Sequence, residues 1–316
     1  MSVQAVRESE AQQAAATRVE VVPMAIHIGA EIHGVDLSRP LPAAHVNAVR
    51  AALLRWKVVF FRDQTLDHLK HIAAARQFGD TTAGHVVYGS DGEFPQIYSV
   101  AKNRKANRFQ GQTLFRAWSG WHTDITAAIN PPAASMLRGD VVPPYGGDTL
   151  FTNLVAAYNA LSPVMQKFMD GLRGVHRFAP PPGVDQTPDY LELMRKRTLV
   201  SEHPIVRVHP ETGERALFVS PSFLKSIVGV SPRESQVLLE FLWEHIVRPE
   251  FTARFRWAPG SVAFWDNRAT AHLAPRDIFD SDFDRQFYRV TLVGDVPVGV
   301  DGKPSTAMEG LPIVAV

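Results

Sequence analysis

The chain contains no cysteine. Disulfides, thiolate-held zinc, iron–sulfur clusters and thiol nucleophiles are excluded together. Any metal must be held by His, Asp and Glu. An excess of one charge is also missing: 33 Lys and Arg stand against 32 Asp and Glu, a formal net charge of +1. No global field points to nucleic acid or to an acidic membrane. Long apolar runs are lacking too. A stretch such as Val58–Phe61 is far too short to span a bilayer. The N-terminus shows no charged region followed by an apolar stretch, so a secretory signal is not expected and the cytoplasm is the default location.

What is present is an ordinary globular balance, 45% hydrophobic and 21% charged over 316 residues. Such a chain can bury a large core as one or two domains, and one large β-rich domain also fits. Residues 1–18 are rich in Ala, Gln, Glu and Ser without apolar periodicity, and read as a disordered arm. No repeat or strong linker divides the remainder, so 19–316 is expected to be a single domain.

Val46, Val49, Leu53 and Trp56 recur at helical spacing and predict a helix over about 43–56, followed by a strand over Lys57–Arg62. A second helix is expected over about 65–78. Ser162 and Pro163 mark a third helix, with Met165, Phe168, Met169 and Leu172 on one face. Ser231, Pro232 and Glu234 form a capping-box signature for a fourth, whose apolar stripe reads Val237, Leu238, Phe241, Leu242 and His245. His245 reads as a packed helix-face histidine. The rest looks like short strands: Pro204–His209, Arg215–Val219, Phe251–Trp257, Ser261–Asp266 and Phe287–Asp295. Many short strands with a few covering helices predict a mixed α/β, mainly β fold of the sandwich or jelly-roll type.

The first candidate for chemistry is Trp121-His122-Thr123-Asp124. On a strand, residues two apart share a face, so His122 and Asp124 would stand side by side. They are two thirds of the two-His-one-carboxylate set of non-haem Fe(II) oxygenases. A chain with 12 His also yields such a pair by chance, and a surface histidine beside a solvated carboxylate reads the same way. Phe264-Trp265-Asp266-Asn267-Arg268 runs into His272, a plausible place for a further ligand near a strand mouth. Arg285 and Arg289 lie four apart on an expected strand, facing the same side at roughly 13 Å separation. If they face inward each needs an anion; if outward, they are two solvated arginines.

Together these residues resemble the TauD/TfdA family of Fe(II)- and 2-oxoglutarate-dependent dioxygenases. The resemblance runs from about Val19 to about Pro297. It is carried by Ile28-Gly29-Ala30-Glu31-Ile32 through Gly34-Val35-Asp36-Leu37, then Trp121-His122-Thr123-Asp124, Pro131-Pro132-Ala133 and Gly146-Gly147-Asp148-Thr149-Leu150. His203-Pro204, His209-Pro210, Trp265-Asp266-Asn267-Arg268 with His272, and Arg289-Val290-Thr291-Leu292 with Gly294-Asp295 complete it. The implied fold is the double-stranded β-helix, a cupin-like jelly roll with flanking helices. The implied metal ligands are His122, Asp124 and His272. By the same resemblance Thr149 contacts 2-oxoglutarate and Arg285 holds its distal carboxylate. Arg289 holds the acidic group of the prime substrate, and His85, Tyr88 and Phe223 line its pocket.

The sequence departs from taurine dioxygenase in places. Trp118, read as a further substrate contact, stands where that enzyme has a small amide side chain, and Pro181 and Pro182 stand near its other substrate contacts. The segment between His272 and Arg285 is about two residues longer. The run Gly294-Asp295-Val296-Pro297-Val298 looks more like the alkylsulfatase branch. The implied reaction consumes Fe(II)-bound 2-oxoglutarate and O2, hydroxylates the carbon next to an anionic group of an alkyl sulfate or sulfonate, and releases succinate, CO2, an aldehyde and sulfate or sulfite. A carboxylate substrate, such as an aryloxyalkanoate or a specialised metabolite, fits the same chemistry. A silent metal-binding jelly roll or a hydrolase is a further reading, which Arg285 with Thr149 speaks against. The resemblance also implies a homo-oligomer, a dimer or tetramer. Between Phe94 and Thr123 five basic residues (Lys102, Arg104, Lys105, Arg108, Arg116) occur without an acidic one, so 94–121 reads as a lid drawing in a small anion, or equally as a solvated loop or subunit contact.

Overall fold

The computed structural model describes residues 18–102, 116–178 and 188–316. The expected arm is outside that range except for Arg18, as are Pro181 and Pro182. Of the expected lid, 103–115 lie outside it, with Arg104, Lys105 and Arg108.

A seven-stranded sheet is the larger layer. Its order is β1 (Glu20–Pro23), β2 (Ala30–His33), β3 (Val58–Phe61), β13 (Val262–Asp266), β5 (Ala134–Val141), β15 (Gln286–Thr291) and β4 (Tyr98–Ala101). β2 and β3 run parallel; the other neighbours are antiparallel. Part of the expected lid is therefore an edge strand, because Tyr98–Ala101 pairs with Arg289–Gln286. The smaller layer is β12 (Thr252–Phe255), β6 (Thr149–Asn153) and β14 (Thr270–Leu273). Two further sheets flank these. One is β10 (Arg215–Leu217), β9 (Val206–Val208) and β16 (Val298–Gly299). The other is β11 (Leu224–Ile227), β7 (Arg173–Arg177), β8 (Val200–Pro204) and β17 (Thr306–Glu309).

β3 shows how the layers form. All four residues of Val58-Val59-Phe60-Phe61 are buried, because both faces of the strand are covered. Val58 and Phe60 point toward the smaller sheet, where Phe60 stacks on Phe255 at 3.9 Å and meets Phe151 edge-on at 5.7 Å. Val59 and Phe61 point the other way, against Val49 and Leu53 of α1 (Ala43–Trp56) and Ile72 of α2 (His68–Arg76). The two-sheet core with helices on its outer faces is the jelly roll expected from the sequence. Behind the smaller sheet lie α3 (Leu154–Asn159) and α6 (Pro232–Ile246), joined in one core with Ala269 and Ala271. Two more helices are α4 (Pro163–Asp170) and α5 (Pro188–Lys196).

The caps form as read. Ser162 accepts from the Met165 amide, and Ser231 and Glu234 form a reciprocal capping box. The buried stripe of α6 is rotated from the expected one: Ser235, Leu239, Leu242, His245 and Ile246 face inward, while Val237 and Phe241 are exposed. The helix is apolar on more than one side, so periodicity alone admits two faces. In α4 only Met169 is buried and Phe168 is exposed. The expected strand Phe251–Trp257 begins one residue late, since Phe251 closes a 3-10 turn, and it ends at Phe255. The expected strand from Pro204 is two strands with Ile205 between them. Among the described residues, no helix is long and apolar enough to cross a membrane.

Candidate active site

His122, Asp124 and His272 come together at one end of the sandwich, each offering a ligand atom within 4.8 Å of the others. His272 lies on β14. Its backbone exchanges hydrogen bonds with His122, 2.9 Å from the His122 amide to the His272 carbonyl and 2.7 Å in return. The expectation that a strand carries both His122 and Asp124 is corrected here. Only His122 pairs. The next amide, of Thr123, donates to Ser220 Oγ, and the Thr123 hydroxyl donates to the Thr270 carbonyl. The chain thus leaves the ladder and turns. Ile125 follows at φ 46°, a left-handed conformation that costs a β-branched residue about 1–3 kcal/mol. Its packing with Val87, Phe178 and Leu199 opposes that strain. A packed turn, not strand alternation, delivers Asp124 to the histidines.

Burial lowers the pKa of both histidines, so both are neutral and offer lone pairs. His122 Nδ1 faces the Gly120 carbonyl at 3.0 Å and must carry the proton, which leaves Nε2 as the donor atom. His272 Nδ1 is buried with no hydrogen-bond partner among the described residues. Burial opposes the charge on Asp124, but the Arg289 guanidinium, with the Ser135 hydrogen bond, outweighs it and holds the carboxyl well below the usual carboxylate range. Two neutral imidazoles and one ionised carboxylate are a donor set that fits Fe(II). Arg289 on β15 donates to Asp124 Oδ1, and Ser135 on β5 donates to Oδ2 at 2.6 Å.

Thr149 and Arg285 define a second part of the site. Thr149 opens β6, and its hydroxyl accepts from Trp257 Nε1 at 3.0 Å. Arg285 directly precedes β15. Its guanidinium lies 3.8 Å over the Phe287 ring, and Nε donates to the Gly147 carbonyl at 3.2 Å. Burial pushes the Arg285 pKa down to about 10, which leaves it charged at neutral pH. Gly147 (φ 64°) is in a conformation that strains any side chain, and a Cβ there would stand 3.1 Å from Arg285 Cδ, so Arg285 would have to shift by a few tenths of an ångström. Trp257 closes this corner by packing on Phe287 at 4.6 Å. The sequence marked Trp257 only as a strand position; nothing local distinguished its indole as a partner of Thr149.

Four of the expected substrate contacts also meet. His85 stacks on Tyr88 at 4.5 Å and lies 4.9 Å from Tyr98, over which Arg289 sits at 5.1 Å. Phe178 joins Tyr88 at 5.7 Å to Phe223 at 5.5 Å. His85 Nδ1 accepts the amides of Val87 and Tyr88, so Nε2 carries the proton. Tyr98 and Phe178 were not foreseen, since both look like ordinary core aromatics in the sequence. Trp118 is seated against Trp243 of α6, at 6.1 Å, and not in this chain of ring contacts.

Comparison with known proteins agrees with this geometry. The family model described as taurine catabolism dioxygenase TauD, TfdA family, matches residues 20–291. An alpha-ketoglutarate-dependent (that is, 2-oxoglutarate-dependent) sulfate ester dioxygenase of Pseudomonas putida is 42% identical, over 92% of this chain and 94% of its own length. An alkylsulfatase of Acinetobacter baylyi is 37% identical, over 87% of this chain and 85% of its own. The crystal structure of a taurine dioxygenase from Burkholderia xenovorans superposes with a TM-score of 0.82 at 61% identity, covering 93% of this chain and 96% of that one. The chain belongs to the TauD/TfdA family and is an Fe(II)- and 2-oxoglutarate-dependent dioxygenase.

Proposed function

We propose that the prime substrate is a sulfate ester or sulfonate with an apolar organic chain, oxidised at the carbon next to the sulfur-bearing group. The observation that carries this reading is the position of Arg289. It is a buried cation between Asp124 of the ligand cluster and the aromatic group of Tyr98, His85, Tyr88, Phe178 and Phe223. An anionic headgroup held by Arg289 would leave its adjacent carbon beside the ligand cluster and its chain against the rings. Arg gives a tetrahedral or planar oxyanion two parallel hydrogen bonds, and His85 Nε2–H is a further donor. Among the described residues the rings have no carboxylate beside them in the contacts above to receive taurine's amine, which favours an apolar chain over taurine itself.

In this reading His122, Asp124 and His272 hold the iron, Arg285 grips the distal carboxylate of 2-oxoglutarate, and Thr149 contacts it. Bound Fe(II) couples the oxidative decarboxylation of 2-oxoglutarate by O2 to hydroxylation of the substrate. The protein's part is positioning: Arg289 fixes the headgroup, and the ring wall excludes water from the carbon to be oxidised. The hydroxylated carbon then bears a sulfate or sulfite leaving group and collapses to an aldehyde without further help from the protein.

A succinate-release screen over alkyl sulfates, alkanesulfonates, taurine and aryloxyacetates tests the assignment. Alkyl sulfates or alkanesulfonates of intermediate length should respond most strongly. A response confined to aryloxyacetates would overturn it.

A further inference from the structure

Both carboxylate oxygens of Asp124 are engaged: Arg289 donates to Oδ1, and a directed hydrogen-bond chain ends on Oδ2. Trp265 Nε1 lies 2.8 Å from Asn267 Oδ1, Asn267 Nδ2 lies 2.9 Å from Ser135 Oγ, and Ser135 Oγ lies 2.6 Å from Asp124 Oδ2. Each direction follows from chemistry. An indole nitrogen only donates, so the amide oxygen of Asn267 must face it. The amide nitrogen then faces Ser135 and can only donate, so the hydroxyl oxygen accepts there. The one hydroxyl proton of Ser135 is left for Asp124, an ionised carboxylate that can only accept.

The members are held rigidly. Ser135 is fully buried on β5, opposite Trp265 of β13 on one side and Thr291 of β15 on the other. Asn267 is buried too, and its amide donates to the Ala133 carbonyl at 2.9 Å. Trp265, which starts the chain, also packs its ring on His272 at 4.8 Å. One turn therefore supports two ligands, His272 by contact and Asp124 by relay.

We propose that Ser135 and Asn267 are positioning residues for the metal ligand Asp124: the Ser135 proton anchors Oδ2 while Arg289 holds Oδ1, and the two together fix the plane in which the carboxylate meets the ion. This rests on the assignment of His122, Asp124 and His272 as the metal ligands. Neither residue touches substrate. Their effect is on the orientation of the carboxylate and on metal affinity.

Calorimetric titration of the full-length, metal-stripped protein with Mn(II) tests the relay without turnover, with thermal melting of the same samples beside it. Ser135→Ala should weaken Mn(II) binding about 10- to 100-fold, the usual effect of losing a ligand's outer partner, with little change in melting temperature. Asn267→Asp keeps the shape but puts an oxygen where Ser135 needs a donor. It should draw the Ser135 proton away from Asp124 and weaken binding similarly. A Ser135→Ala protein that binds Mn(II) within twofold of the native protein, while His272→Ala does not bind, overturns the relay alone. A melting temperature that falls while affinity is kept assigns the chain to fold stability and likewise overturns it. Failure of the native protein to bind Mn(II) overturns the metal assignment and the relay together.

Discussion

Ser135 sits on a strand paired on both sides, and His272 is flanked by Phe151 of β6 and by His122. His85, Tyr88, Phe178 and Phe223 instead reach the site from turns and strand ends. Two of the three ligands, His122 and His272, are thus fixed by backbone pairing, and Asp124 by a turn whose carboxylate is anchored on Ser135 of a doubly paired strand, whereas the proposed substrate wall is fixed by ring packing and a few local hydrogen bonds. A ladder residue cannot shift without breaking its neighbours' pairing. A turn residue can be exchanged with little effect on the sheets. The division predicts that substitutions at the two ends differ in kind.

The largest effect is expected at the ligand end. Asp124→Ala should abolish succinate formation, a loss of at least ~1,000-fold of the kind that accompanies removal of a group essential to an electrostatic site. Full turnover in that variant would remove the basis of the comparison. Arg285→Ala comes next. A lost pair of charge-assisted hydrogen bonds is worth about 1.5–3 kcal/mol, so the 2-oxoglutarate KM should rise about 10- to 100-fold. The prime-substrate KM should change little. Phe223→Ala should do the reverse, raising the KM of an alkyl substrate about tenfold, since one lost apolar contact is worth roughly 1–3 kcal/mol. Its melting temperature should move less than that of Phe60→Ala, which opens the core between the sheets and costs about 3–5 kcal/mol. Equal destabilisation by the two Phe substitutions would erase the distinction between wall and scaffold.

The same division explains what could be read in advance. The elements of the jelly roll were legible because apolar runs and caps are local: the strand expected over Lys57–Arg62 forms over Val58–Phe61, and the Ser162 cap and the Ser231–Glu234 box form as spaced. His122, Asp124 and His272 were legible as a motif, and the structure brings them together. The route by which Asp124 arrives was not, because the turn depends on Ser220 and Thr270, which are 97 and 147 residues away from Thr123. Phe178 and Trp257 were missed for the same reason. An aromatic on a strand end looks identical whether it meets core or ligand, and only its distant neighbours decide. The α6 stripe was misread because two faces of that helix are apolar, and α3, not periodicity, selects between them.

The smallest predicted effect separates the two regions by acid. His71 lies on α2, behind the larger sheet, with one ring nitrogen 3.1 Å from the Met136 carbonyl. His203 lies on β8, paired with Gly174 of β7, where Nδ1 meets Ser305 Oγ at 2.7 Å and Nε2 faces the Ala128 carbonyl at 3.1 Å. Burial pushes each pKa down to about 3, against about 6.5 in the unfolded chain. Each group therefore contributes stability that is fully present above pH 6.5 and is lost as pH falls from 6.5 toward 3. Between pH 7.5 and 6 the unfolded state takes up protons that the folded state refuses, and each histidine costs about 0.8 kcal/mol of stability. Chemical denaturation at the two pH values should show this slope. His203→Gln should reduce it by about half of what His71→Gln and His203→Gln remove together. If His203→Gln leaves the slope unchanged while His71→Gln flattens it, the sheet of β7 and β8 opens to water before the larger sheet does. The contrast between the two regions would then extend from chemistry to unfolding.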